Sequence, residues 1–194
     1  MTDNDKQGMI VEAAYQVLAE KGYDQASTKE IARVAGVAQG LIYYYFPNKD
    51  LLYAEVFRRD AERYCESLNF IKQIGDRPLT SEAIRSALSV PKQRALEQRT
   101  RVKLRYELYA LGLRNPSVSE SIKKTLAIKR KHLQDLVASV TKLPEEHARP
   151  LSAILLATFD GLGLQRLSDD SFEYDEAYDT LATMIESYIK QAFS

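Results

Sequence analysis

Between Ser27 and Tyr53 the sequence reads STKEIARVAGVAQGLIYYYFPNKDLLY, its densest run of groups suited to hydrogen-bonding a nucleic acid. Gln39 carries a donor and an acceptor on one planar amide, the pair that matches N6 and N7 of adenine. Gly40 beside it has no side chain to hold the backbone away from a groove. Tyr43, Tyr44 and Tyr45 are consecutive. At about 100° per helical residue they cannot all be buried. An exposed one offers a ring to sugar or a thymine methyl and a hydroxyl to phosphate. Ser27, Thr28 and Lys49 stand at expected helix starts, where hydroxyls, an ammonium and free backbone N–H groups attract phosphate. Catalytic chemistry has no comparable cluster. His132 and His147 fall in different expected helices, without a carboxylate or cysteine at metal spacing. Neither an enzyme nor a metal or cofactor site is therefore expected.

The elements that must position these groups are helices. Ile10, Ala14, Val17 and Leu18 make one stripe on a first helix from about Lys6 to Lys21. Gly22 ends it in a left-handed conformation. Ser27 caps a second helix, and Glu30 three residues on completes a capping box. Ala32 and Ala35 are small enough for close approach, and Gly36 makes the turn into a short third helix, about Gln39 to Tyr45. Val37 and Ile42 point inward. This is the geometry of a helix-turn-helix, whose second helix enters the major groove. Asn48 caps a long fourth helix from Lys49 to about Ile71, and residues 72–80, with Gly75 and Pro78, read as a loop.

Five further helices are expected at about 80–89, 92–113, 118–142, 145–166 and 174–192. The sixth is striped by Val102, Tyr106, Tyr109 and Leu113. The eighth is apolar nearly all round, with Leu151, Ile154, Leu155, Leu156, Phe159 and Leu162, and the ninth has a wide apolar face that includes Met184. Surfaces of this kind must be covered, which points to a homodimer held by these two helices. No segment alternates with the period of a strand. The fold class is all-α with about nine helices: a helix-turn-helix domain over residues 1–50 and a helical ligand-binding and dimerisation domain over 51–194.

Bulk charge does not favour nucleic acid. The 194 residues have a net charge of zero, and residues 1–50 hold five cations against seven carboxylates. Any DNA affinity must come from placement. No apolar run reaches the roughly 20 residues of a membrane span. The polar N-terminus is no secretory signal, and Cys65 is the one cysteine. A cytoplasmic protein is expected.

The stretch resembles the DNA-binding domain of the TetR family of bacterial transcriptional regulators. The resemblance rests on Thr28, Ile31-Ala32, Ala35-Gly36-Val37, Gly40, Ile42-Tyr43, Tyr45-Phe46, Lys49 and Leu51-Leu52, with Gly22-Tyr23 ahead of them. It implies phosphate contacts by Thr28, Tyr44 and Lys49. Gln39, Gly40, Leu41 and Tyr43 would face the groove, with Tyr45 close by or on phosphate. It also implies a homodimer on a palindromic double-stranded operator, repressing until a small-molecule effector binds the C-terminal domain. The candidates for that effector site are Cys65, Arg105, Tyr106, Tyr109, His132 and Phe159. Ala38 departs from the family's usual serine cap before the third helix. The rival readings are a small helical enzyme and a helical adaptor without DNA binding.

Overall fold

The computed structural model describes residues 3–76 and 79–193, with nine α-helices and no strand among them. They are α1 (Asp3–Gln25), α2 (Thr28–Ala35), α3 (Gln39–Tyr45), α4 (Lys49–Ser67), α5 (Ser81–Glu97), α6 (Arg99–Gly112), α7 (Pro116–Thr141), α8 (Glu145–Ser168) and α9 (Tyr174–Ala192).

Local chemistry sets most of the boundaries. Gly22 takes φ 74° and kinks α1 near its end. Ser27 Oγ accepts from Glu30 N–H at 3.2 Å, capping α2. Glu30 turns its own carboxylate to Lys21 at 2.6 Å instead of back along the helix start. Gly36, at φ 66°, closes α2. Ala38 gives α3 no side-chain cap, whereas Asn48 Oδ1 accepts from Leu51 N–H at 2.9 Å at the start of α4. Asn115 does the same for α7, accepting from Ser117 N–H at 3.1 Å, and Pro116 opens that helix, where its missing N–H costs nothing.

Three boundaries differ from the pattern in the sequence. The fourth helix ends at Ser67, and Asn69–Asp76 forms a 3-10 helix where a loop was expected; residues 77–78 lie outside the described residues. Pro91 does not end the fifth helix, which runs on to Glu97. A proline inside a helix costs about 3 kcal/mol. Packing offsets it: Ile84 and Leu88 enter the core, while the surface pairs of Arg85 with Asp179 at 2.6 Å and Lys92 with Asp175 at 2.7 Å add little. The break falls at Gln98, with φ −118° and ψ 45°. Leu113, expected on the apolar stripe of the sixth helix, lies just past its end and is exposed.

Two compact units divide the chain, with boundaries inside α4, α6 and α7. The first joins the residues up to Glu62 with Lys103–Leu126. Its core is built on Ile10, Leu18, Ile31, Ile42, Leu52 and Val56, with Leu104, Leu108 and Val118 from α6 and α7. The second unit holds Arg63–Val102 and the residues from Ala127 onward. Ile84, Leu88, Leu151, Leu155, Leu181 and Ile185 centre one of its clusters; Leu68, Ile71, Leu136 and Val140 make another. No described helix is long and apolar enough to cross a membrane.

Candidate nucleic-acid interface and ligand cavity

The helix-turn-helix reading puts Thr28 at the first position of α2 and Gln39 at the first position of α3. The fold brings them together. Gln39 Nε2 donates to Thr28 Oγ1 at 2.9 Å, and the Tyr43 hydroxyl, one turn along α3, lies 3.0 Å from the same oxygen. One amide hydrogen of Gln39 is occupied in this way. The second hydrogen and Oε1 remain, and these are the two groups a bidentate contact to adenine uses. Tyr43 is 50% exposed and Tyr44 73% exposed. Apart from its own helix backbone and chain neighbours, a Cβ built on Gly40 would meet no atom of the described residues within 4 Å, so packing among them does not require glycine there.

Other candidates lie differently. Leu41 is half-buried and packs against the N-terminal core. Tyr45 is turned back toward the chain start, its hydroxyl donating to Asp3 Oδ1 at 2.8 Å. Desolvation, followed by the Asp3 carboxylate, raises the phenol above its ordinary pKa. Ser27 is exposed, with its hydroxyl engaged in capping. Lys49 does not stand out from the surface. Its Nζ donates to the carbonyls of Tyr23 at 2.8 Å and Ala26 at 3.2 Å, and it sits 4.0 Å from the centre of the Tyr23 ring.

Around Lys49 is a polar latch that sequence reasoning missed. Asp50 accepts from the Tyr23 hydroxyl through Oδ1 and from Asn115 Nδ2 through Oδ2 at 2.6 Å. Tyr53 stacks on Tyr23 with ring centres 5.0 Å apart, and its buried hydroxyl donates to Leu104 O at 2.6 Å. Burial, aided by Asp50, pushes the Tyr23 phenol well above its ordinary range. Burial does the same for Tyr53. The signal in the sequence was slight: Gly22-Tyr23 was visible, but nothing local paired it with Asp50 or Asn115.

The six effector candidates are divided between the two units. Arg105, Tyr106 and Tyr109 belong to the first unit, where the Arg105 guanidinium lies 5.6 Å from the Tyr106 ring centre and Tyr106 meets Tyr109 edge-on. Cys65, His132 and Phe159 belong to the second. Cys65 is buried. His132 buries Nε2 with no hydrogen-bond partner among the described residues. Its pKa is lowered by burial first and then by Lys72, against an opposing pull from Asp135. Phe159 alone of the six lines a cavity of about 90 Å³ inside the second unit. That cavity is walled chiefly by residues that were not effector candidates: Tyr64 of α4 and Leu68 just past its end, Ala87 and Pro91 of α5, Leu133 and Val137 of α7 among them.

The apolar girth of α8 resolves into two faces. Leu151 and Leu155 are buried in the unit's own core. Ile154 is left 60% exposed, and Met184 of α9 64% exposed. Ala153, Ala157 and Gly161 are exposed on α8 as well.

Comparison with known proteins agrees with this arrangement. Residues 10–56 match the family described as bacterial regulatory proteins, tetR family, and residues 79–190 match the tetracyclin repressor-like C-terminal domain. The HTH-type transcriptional regulator YuxN of Bacillus subtilis is 28% identical over 158 residues, covering 81% of this chain and 52% of YuxN. The chain thus aligns with about half the length of that relative. A structure assigned to the TetR family from Mesorhizobium loti superposes with a TM-score of 0.74 at 19% identity, covering 98% of each chain. The multidrug binding protein EbrR, complexed with ethidium, gives 0.73 at 25% identity over 94% of this chain and 99% of its own. The C-terminal match alone spans more than half of the residues, and the chain belongs to the TetR family of bacterial regulatory proteins.

Proposed function

We propose that the protein is a cytoplasmic transcriptional repressor, not an enzyme, that binds a palindromic operator as a homodimer and is released by a small-molecule effector. The observation that carries this reading is the Thr28–Gln39–Tyr43 cluster. It holds the Gln39 amide at the exposed start of α3 with its adenine-matching pair open. Bare Gly40 and exposed Tyr44 lie on the same helix. Residues 1–50 are the DNA-binding domain. Gln39, Gly40 and Tyr43 face base edges, and Tyr44 reaches phosphate. Ser27, Thr28, Leu41 and Tyr45 support that surface. Lys49 fixes the α1–α2 turn and keeps one hydrogen for phosphate.

Residues 51–194 carry the effector site and the dimer contact. Ile154 and Met184, with the small exposed residues of α8, suit the close packing of two helices from each subunit. A two-fold protein calls for two-fold DNA, with half-site centres about 34–36 Å apart or slightly more. Cys65, His132 and Phe159 lie in the unit that holds the cavity, and Phe159 is in its wall. Arg105, Tyr106 and Tyr109 are left as a packed set on α6. Footprinting on the DNA upstream of the protein's own gene tests the reading. Two symmetric half-sites are expected; a single asymmetric half-site bound at full affinity would overturn it.

A further inference from the structure

The cavity in the second unit is informative about what enters it. Among the described residues no charged side chain lines its wall, and the wall surface is wholly apolar. Two lining residues, Thr141 and Tyr64, carry a hydroxyl. The Thr141 hydroxyl is engaged by the backbone: it donates to Val137 O at 2.7 Å and accepts from Leu143 N–H at 3.2 Å. Thr141 therefore presents its methyl group. The Tyr64 ring lies under the Arg94 guanidinium at 3.9 Å from its centre, and Arg94 itself is not part of the wall.

An empty apolar cavity costs stability in proportion to its volume. A larger residue at Ala87 would take up part of this space. Apolar cavities of roughly 150 Å³ admit benzene while staying dry. This one, at about 90 Å³, is smaller. A longer ligand either displaces the wall or extends outward through the open side of the pocket.

We propose that this cavity binds an uncharged, hydrocarbon-rich small molecule, and that no charged group of the ligand is held inside the wall. That this binding is the releasing event rests on the repressor reading above. A flat cation such as the ethidium carried by EbrR would find no counter-charge in this wall, and a carboxylate would find no cationic partner. Either ion would be left unpaired in an apolar site, which is strongly unfavourable.

The test uses the full-length protein and a series from butan-1-ol to octan-1-ol, with octanoate and octylammonium as charged counterparts, followed by calorimetry. Affinity should rise about fourfold with each added methylene, and both ions should bind at least about a hundredfold more weakly than octan-1-ol. The substitution Ala87→Leu takes up part of the space and should abolish alcohol binding while helicity and operator binding persist. The substitution Thr141→Val should leave alcohol affinity within about twofold, because the hydroxyl already serves the backbone. Equal binding of octanoate, or alcohol binding unchanged by Ala87→Leu, would overturn the proposal. Alcohol binding lost in Ala87→Leu, but with no release of operator by alcohols in the wild type, would uphold the site and overturn the effector reading.

Discussion

The substitution Lys49→Met keeps the apolar stem of the side chain and removes its charge. In the structure that charge donates two hydrogen bonds to carbonyls of the α1–α2 turn, at 2.8 and 3.2 Å, and lies over the Tyr23 ring. A hydrogen bond to a charged group contributes roughly 1.5–3 kcal/mol, and an ion over an aromatic ring about 0.5–1 kcal/mol at an exposed site. Lys49 is half-buried, so water can reach the two carbonyls once the ammonium is gone. A net loss of about 2 kcal/mol follows, below the roughly 3.5–7 kcal/mol sum of the two bonds and the ring contact, because water takes over the carbonyls. For a chain of this length each kcal/mol lowers Tm by roughly 2–4 °C, so thermal unfolding followed by circular dichroism should show a drop of about 4–8 °C. Operator affinity should fall for all sequences alike, because the turn that starts α2 loses its anchor. A Tm unchanged within a degree, together with a salt slope reduced by about one unit, would refute the latch and leave Lys49 as a surface phosphate clamp.

Replacement of Gln39 with alanine should relax preference at one base pair per half-site by about 1–3 kcal/mol, measured on a panel of operator variants; equal loss on every variant would count against α3 as the reading element. Ile154→Glu combined with Met184→Glu should give a monomer in sedimentation that no longer binds operator, since both positions are exposed on the chain. His132 sets a pH dependence. Its folded pKa is lowered by burial, so the unfolded chain takes up the proton first as pH falls. Stability should be full above about pH 6.5 and decline as pH falls through the lowered folded value. Comparing denaturant midpoints at pH 7 and pH 5 for wild type and His132→Gln checks this; an unchanged slope in the variant would remove His132 as the cause.

What was legible in the sequence was local. The helix-turn-helix could be read because its caps, its small residues and its turn glycine all lie within a few residues of the bonds they make. Ser27 caps Glu30, Asn48 caps Leu51, and Gly36 supplies a positive φ between adjacent helices. Pro91 was misleading for the opposite reason. Its intrinsic cost is local, but the α9 residues that α5 packs against lie more than eighty residues away.

The same division explains the candidate sites. Gln39 and Tyr43 share one short helix, so their common face followed from spacing, but Thr28 as the atom between them required the angle at which α2 meets α3. Lys49 was read from its place at a helix start, where free N–H groups suggest an anion. Carbonyls 23 and 26 residues earlier in the chain reach it first. The cavity left least trace of all. Its wall is assembled from mostly apolar residues on several helices, each of which reads as ordinary core in its own helix. Chemically distinctive side chains such as Arg105, Tyr106 and Tyr109 stand out in the sequence, and they belong to the other unit. A polar site announces itself in sequence because a polar group in an apolar stripe breaks the pattern. An apolar ligand site keeps the pattern, and only the volume left between the helices reveals it.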